Sequence, residues 1–416
     1  MKHTDYWSRE TNPETGAWFE YERECLIANT NDTADIDALL ATEYGKAMTE
    51  NRLRTLKYGK PGKELDEYTA SFGIRKENHD NGDYYSRWCI CLPDDIPNDS
   101  PRKYPLIVAN VFSTDFAQFE LGMHKIAPKE RFLYMSAQNS NWESICALID
   151  EAAEMYPIDK ERVYITGFSY QGYQSTSAFM HCPWKFAGAA PCGNDIYRPK
   201  DNFLVPYTED ELASVRHFVV PFMQIVGEKE ASNFVPLNDW HIRNHWGNPP
   251  RPEGLPARYR DSRADPRLDP TVNPIRRLPD GSTQATPPSA MPAPPEGQDR
   301  HVWMLSRLNK RLDLLRCAPR DMEKCISYLD KPEDELHHVL GFYGDREYTR
   351  ELLGVKHYFI DIFNSDGINA FRYCVLQNHP HAVPITSGEL LWEFFRQFRR
   401  DHATGRIVAD EYKAEF

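Results

Sequence analysis

A serine in a glycine-flanked turn is the residue of this sequence best suited to nucleophilic chemistry. Residues 163–172 read Val-Tyr-Ile-Thr-Gly-Phe-Ser-Tyr-Gln-Gly, an apolar run that passes through Gly167 and Ser169 into a helical stretch. A strained strand-to-helix turn of this kind projects a serine hydroxyl from the edge of a sheet. The second glycine, Gly172, comes one residue later than in Gly-x-Ser-x-Gly, so a serine that merely caps a helix is the alternative. The pattern predicts a nucleophile at Ser169.

A serine hydroxyl needs a base, and the base needs a carboxylate that orients it. For a serine in such a turn, the acid and then the histidine follow along the chain. Glu230 lies just past a predicted strand, with Glu228 as the reserve, and either could be an ordinary solvated glutamate. His379 and His381 lie between the last predicted strand and the last predicted helix. We predict that His381 is the base and Glu230 the acid.

The elements that must position these residues alternate between strands and helices. Apolar runs without polar interruption are typical of buried parallel strands, and apolar residues at three- and four-residue spacing indicate helices. The alternation predicts an α/β fold with a mostly parallel central sheet flanked by helices. The predicted strands are 84–92, 104–109, 132–137, 162–166, 186–190, 218–226, 356–363 and 370–376, and the main predicted helices are 142–155, the stretch from the turn to 180, 302–315 and 387–398.

Composition divides the chain into four parts. Residues 1–82 are polar and aromatic and form an N-terminal extension, and residues 83–245 carry the first part of the core. Thirteen of the 31 prolines lie between Pro249 and Pro295, a composition that buries too little apolar surface to offset its ordering entropy. We therefore expect residues 246–340 to be an insertion, first irregular and then helical, that could act as a lid. Residues 341–416 complete the core.

Charge and cysteine content exclude several classes of partner. A formal net charge of -13 disfavours nucleic acid, which requires a basic surface. No apolar stretch is long enough for a membrane span, and no leader is visible at the N-terminus. The nine cysteines lack metal-ligand spacing, which favours reduced thiols in a cytoplasmic protein. No phosphate loop or dinucleotide fingerprint occurs, so we expect neither a metal nor an organic cofactor.

Residues 162–193 resemble the core of the α/β-hydrolases of the polyhydroxybutyrate-depolymerase-like and feruloyl or acetylxylan esterase-like type. The motifs are Asp-x-x-Arg-Val-Tyr before the turn, Phe-Ala-Gly-Ala-Ala-Pro at 186–191, Gly-Glu-Lys-Glu at 227–230 and Pro-His-Ala-Val-Pro at 380–384. The resemblance covers roughly residues 84–240 and 355–400. It implies a triad of Ser169, Glu230 and His381, and it favours His381 over His379.

The resemblance further implies hydrolysis of a small-molecule carboxylic ester through an acyl-enzyme. The oxyanion would be bound by the N–H of Tyr170 and that of Val111 or Phe112, although the family's His-Gly is replaced here by Asn-Val-Phe at 110–112. Trp142 and Tyr173 could line the substrate pocket or belong to the core. A peptidase or amidase with the same triad, and a non-catalytic binding protein of this fold, are the alternatives.

Overall fold

A computed structural model gives the fold of the greater part of the chain. It describes residues 35–58, 63–79, 88–110, 121–137, 141–194, 196, 207–230, 275–277, 283–285 and 300–414. The predicted oxyanion residues Val111 and Phe112 and most of the predicted insertion at 246–299 lie outside these residues. A short antiparallel pair, β8 (Ile275–Arg277) with β9 (Thr283–Ala285), is the part of the proline-rich stretch that is described.

A ten-stranded sheet forms the centre of the protein. Its strands are β1 (Ile74–His79), β2 (Trp88–Pro93), β3 (Tyr104–Asn110), β4 (Leu133–Ala137), β5 (Ile158–Phe168), β6 (Gly188–Cys192), β7 (Phe222–Gly227), β10 (Arg346–Leu352), β11 (Val355–Phe363) and β12 (Asn369–Leu376). Their order across the sheet is β1-β2-β4-β3-β5-β6-β7-β12-β11-β10. Strands β4, β3, β5, β6, β7 and β12 run parallel to their neighbours in this series. Strand β2 pairs antiparallel with both β1 and β4, and β11 pairs antiparallel with both β12 and β10.

Helices cover both faces of this sheet. Along β3, Leu106 and Val108 belong to one apolar cluster while Ile107 and Ala109 belong to the other, and all four are fully buried. This two-sided burial explains why the strand reads as a continuous apolar run. The helices are α1 (Ile36–Ala41), α2 (Glu43–Tyr58), α3 (Lys63–Ala70), α4 (Met123–Glu130), α5 (Trp142–Met155), α6 (Tyr170–His181), α7 (Glu209–His217), α8 (Arg300–Leu314), α9 (Met322–Ser327), α10 (Glu335–Leu340) and α11 (Ser387–Phe395).

The arrangement is the α/β-hydrolase fold, so the predicted fold class is confirmed. A parallel series bounded by an antiparallel strand near its start, with helices on both faces, places the carboxyl ends of β5, β7 and β12 at one edge of the sheet. In open α/β sheets, sites form at this edge. A small antiparallel pair, β13 (Phe398–Arg400) with β14 (Ile407–Ala409), follows α11.

The predicted extension and the predicted insertion both contribute elements to the core. Strand β1 lies within residues 1–82, yet it pairs along its whole length with β2 and so extends the central sheet. Helix α8 lies within residues 246–340, yet Leu305, Leu308 and Leu312 are buried in one of the two core clusters. The sheet and the core therefore include residues from the predicted extension and from the end of the predicted insertion.

Two further predictions concern reduced cysteine thiols and membrane spans. The eight cysteines within those residues are all buried free thiols, from Cys89 to Cys374. None of the helices in the described ranges has the length and apolar character that a membrane crossing requires.

Candidate active site

Ser169 occupies a strained turn between β5 and α6. Its backbone has φ 52° and ψ −119°, a region that non-glycine residues rarely adopt. Its N–H donates to the Cys192 carbonyl of the adjacent strand β6 at 3.0 Å, which fixes the turn against the sheet. Its side chain makes no capping hydrogen bond to α6. The Ser169 hydroxyl therefore does not cap the helix.

Gly172 explains the shifted glycine pattern. A Cβ at this position would lie 2.5 Å from Nδ2 of Asn194, 3.2 Å from the Gly167 carbonyl oxygen and 3.3 Å from that of Cys192. The first turn of α6 therefore packs so closely on β5 and β6 that a side chain at 172 has no room. Gln171, at the usual glycine position, is instead a buried residue. The glycine lies at a close approach between the helix and the sheet.

His381 faces Ser169 from the loop between β12 and α11. Its Nε2 lies 3.0 Å from Oγ of Ser169. The Phe168 ring stacks on the imidazole with a centroid distance of 4.8 Å, and the side chain is 19% exposed. The contact fixes the ring plane while leaving its edge accessible.

Glu230 holds the opposite side of the imidazole. Its Oε2 lies 2.9 Å from Nδ1 of His381, and its Oε1 accepts the Gly227 N–H at 2.8 Å. A carboxylate only accepts hydrogen bonds, so Nδ1 of the neutral ring carries the proton and Nε2 accepts from the serine hydroxyl. Glu230 is only 1% exposed, so its hydrogen bond with His381 is shielded from water. The structure thus brings Ser169, His381 and Glu230 together in the predicted order.

The reserve acid, Glu228, binds elsewhere in the same loop. Its Oε2 accepts the Asn378 N–H at 2.8 Å, and its Oε1 pairs with Nζ of Lys229 at 2.8 Å. The contact with Asn378 ties the acid loop to the loop that carries His381. Glu228 therefore supports the backbone around the site rather than the imidazole.

The alternative base, His379, is fully buried behind the site. Its Nδ1 donates to the Pro380 carbonyl at 2.8 Å and its Nε2 lies 3.1 Å from the Tyr44 hydroxyl. Burial lowers the pKa of His379 to about 3, because the charged imidazole would be desolvated. His379 is a neutral structural residue, and it contacts Tyr44 instead of Ser169.

The sequence-based oxyanion residues are only partly within the described structure. Tyr170 is the first residue of α6, a position whose N–H has no acceptor inside the helix. It follows Ser169 directly, as an oxyanion donor of this type does. Val111 and Phe112 lie outside the described residues, so the second donor stays a prediction.

The two predicted substrate-binding aromatic residues lie at different distances from the nucleophile. Tyr173 is one helical turn after Ser169 on the same face of α6, and it is partly buried against the core. Trp142 stacks on His181, the last residue of α6, at a centroid distance of 4.5 Å. A 12-residue helix is about 18 Å long, so the structure does not bring Trp142 to Ser169.

The structure adds residues that sequence analysis did not single out. Tyr44 and Asn378 hold the loop that carries His381, and Gly227 lets that loop approach the acid loop. A Cβ on Gly227 would overlap the His379 carbonyl oxygen and lie 2.6 Å from that of Pro380. In the sequence, the signal of this close approach is the glycine directly before the Glu-Lys-Glu segment. Within the described ranges, no group of three or more His, Cys, Asp or Glu side chains could hold a metal ion.

Comparison with known proteins gives structural neighbours only. No protein-family model matches the chain, and no curated protein is significantly similar to it. Similar solved structures include a thermostable esterase with 18% identity and a TM-score of 0.29, covering 38% of this chain and 47% of that one. Others are the fluorophosphonate-binding serine hydrolase F of Staphylococcus aureus (12% identity, TM-score 0.30) and a ferulic acid esterase (12%, 0.29), each covering 37% of this chain and 78% of the other. The chain spans about half the length of the thermostable esterase.

Proposed function

We propose that the protein is a serine hydrolase of carboxylic esters that acts through an acyl-enzyme. The observation that carries the proposal is the continuous series of contacts from Ser169 Oγ to His381 Nε2 (3.0 Å) and from His381 Nδ1 to Glu230 Oε2 (2.9 Å). The strained backbone of Ser169 supports it, because such strain persists where it aims a reactive group.

In the first half-reaction, Oγ of Ser169 attacks the ester carbonyl carbon while its proton passes to Nε2 of His381. The carbonyl oxygen becomes an oxyanion that the Tyr170 N–H stabilises. When the tetrahedral intermediate collapses, the carbon–oxygen bond to the alcohol breaks and the alcohol takes the proton from His381. In the second half-reaction, a water molecule gives a proton to Nε2 of His381 and attacks the acyl carbon. The bond between that carbon and Oγ of Ser169 then breaks, Oγ takes the proton back from His381, and the acid is released. Glu230 stabilises the imidazolium in both halves.

The proposed substrate is a small ester, namely an acyl, feruloyl or acetyl ester of a carbohydrate or a related compound. The motif resemblance supports this class, and the net charge of -13 disfavours polyanionic substrates. Tyr173, one turn from the nucleophile, is the aromatic residue that we propose to contact an acyl group. A small-molecule substrate is the proposed partner.

Two assays test the proposal on the full chain. A fluorophosphonate should label the parent protein and leave Ser169→Ala unlabelled, because only an activated serine reacts. A panel of p-nitrophenyl esters of graded chain length, feruloyl esters and acetylated sugars, with matched amides, then identifies the acyl group. Turnover of amides alone would point to an amidase with the same triad. A folded parent protein that neither reacts with the probe nor hydrolyses any compound would instead be a binding protein.

A further inference from the structure

The N-terminal helices reach the loop that carries His381. Tyr44, near the start of α2, is fully buried, and its hydroxyl lies 3.1 Å from Nε2 of His379 and 3.0 Å from the Ile385 nitrogen. These two contacts flank His381, one of them two residues before it and the other four residues after it. A single hydroxyl therefore joins both sides of the loop.

The donors and acceptors of this group form one ordered series. The Ile385 N–H donates to the Tyr44 hydroxyl, which leaves that hydroxyl free to donate its own proton to Nε2 of His379. The Nδ1–H of His379 donates in turn to the Pro380 carbonyl, next to His381. Burial raises the pKa of the Tyr44 hydroxyl, so it remains a donor, and burial keeps His379 neutral, so its Nε2 remains an acceptor.

A second anchor holds the start of the same loop. The Asp35 N–H donates to Oδ1 of Asn378 at 2.9 Å, and Nδ2 of Asn378 donates to the Asp35 carbonyl at 2.5 Å. Asn378 has φ 54°, a left-handed conformation that asparagine tolerates better than most residues. Its own N–H is held by Glu228. The loop is therefore fixed to the N-terminal helices before it reaches His381.

We propose that Tyr44 is a positioning residue of the active site, and that its hydroxyl holds residues 378–385 so that Nε2 of His381 lies within reach of Ser169. The proposal rests on the proposed function, because it concerns the geometry of the catalytic base. It gives α1 and α2 a role beyond their packing in the core. Tyr44 acts through His379 and the loop and does not contact the reacting atoms.

Tyr44→Phe tests the proposal, with Tyr164→Phe as the matched control. Tyr164 is also fully buried, and its hydroxyl donates to the Phe398 carbonyl at 2.6 Å, outside the loop that carries His381. Both changes remove one buried hydroxyl and keep the ring, so we expect similar decreases in melting temperature. Because small displacements of a catalytic group are costly, we expect Tyr44→Phe to lower kcat by about 10- to 100-fold with KM nearly unchanged. Tyr164→Phe should stay within about twofold of the parent.

A second genetic background, His381→Ala, separates a positioning role of Tyr44 from general destabilisation of the protein. In His381→Ala, whose residual rate no longer uses the imidazole, adding Tyr44→Phe should lower the rate no further, because a residue that acts through another loses its effect when that residue is gone. A further loss equal to that in the parent background would overturn the proposal. Equal kcat losses in Tyr44→Phe and Tyr164→Phe would overturn it as well.

Asn378→Gly provides a variant that avoids the buried hydroxyl. Glycine accepts the positive φ and keeps the N–H that binds Glu228, while both side-chain bonds to Asp35 are lost. We expect about a tenfold lower kcat without a large change in melting temperature. An unchanged kcat in both Asn378→Gly and Tyr44→Phe would show that the loop holds its position without the N-terminal helices. Failure of the proposed function looks different: the parent itself would then show neither fluorophosphonate labelling nor turnover.

Discussion

Replacement of Glu230 by glutamine tests the acid most directly, because each of its oxygens has a defined partner. Oε1 accepts the Gly227 N–H and Oε2 accepts the proton on Nδ1 of His381. Glutamine has the same size but offers one acceptor and one donating amide. Either Nδ1 of His381 or the Gly227 N–H must therefore face the donating NH2 group of the glutamine.

Both orientations of the amide impair the site. If the glutamine NH2 group faces His381, it donates to Nδ1, the ring proton moves to Nε2, and the ring cannot accept the proton of Ser169. If the NH2 group faces Gly227, a buried N–H loses its acceptor, which costs about 1–3 kcal/mol, and the neutral amide no longer stabilises the imidazolium. The corresponding loss in serine hydrolases is about 10⁴-fold in kcat, or about 5 kcal/mol of transition-state stabilisation.

The assay compares kcat/KM for an activated ester and the rate of fluorophosphonate labelling in Glu230→Gln and Glu228→Gln. Glu228 lies in the same loop but binds Asn378 and Lys229, and glutamine keeps an acceptor for the Asn378 N–H. We expect Glu228→Gln to stay within about tenfold of the parent, since partly exposed ion pairs contribute little. The assignment is wrong if Glu230→Gln keeps kcat/KM within about tenfold of the parent while Glu228→Gln loses more.

Three further outcomes follow from the site and its surroundings. Ser169→Ala should abolish turnover and leave the melting temperature nearly unchanged, and residual kcat within about tenfold of the parent would refute a serine mechanism. Gly227→Ala should lower kcat/KM by about 100-fold, because its Cβ would displace the backbone of the His381 loop; parent-like turnover would contradict the close approach. Burial lowers the pKa of His357 to about 4 and that of His379 to about 3, so below pH 6.5 the unfolded chain binds protons that the native state excludes. The free energy of unfolding should fall by about 1.4 kcal/mol per pH unit for each histidine as pH decreases from 6.5 toward 4, and His357→Gln should show a smaller decrease.

The sequence was sufficient for the fold class and for the order of the site residues because their signals are local. The apolar run before Ser169 and the glycines around it specify a strand, a turn and a helix within a few residues. Glu230 and His381 each lie in the loop that follows a buried strand, and β7 and β12 are neighbouring parallel strands, so both side chains lie at one edge of the sheet. Helix α5 begins and ends at the residues that periodicity indicated, Trp142 and Met155.

The remaining features depend on contacts between distant parts of the chain. Tyr44 reads as one apolar residue of an amphipathic helix, and nothing near it in sequence indicates a partner at His379. The residue type of Trp142 is compatible with a pocket or with the core, whereas its place is set by the packing of α5 against the end of α6. Strands β1 and β10 are polar and form the two edges of the ten-stranded sheet, so they lack the apolar pattern that revealed its eight inner strands.

The hydrogen bond between Tyr44 and Ile385 spans 341 residues of chain, and this has a consequence for biosynthesis. At about 5–20 residues per second, the ribosome needs roughly 20–70 s to add the residues that separate the two partners. During that interval, α1 and α2 have been synthesised, but the loop that will cover the Tyr44 hydroxyl has not. Until that loop has been synthesised, the Tyr44 hydroxyl lacks its contacts with His379 and Ile385. A nascent chain that stops before β12 lacks both His381 and the loop partners of Tyr44, so the contacts of His381 with Ser169 and Glu230 form only after the loop that follows β12 has been synthesised.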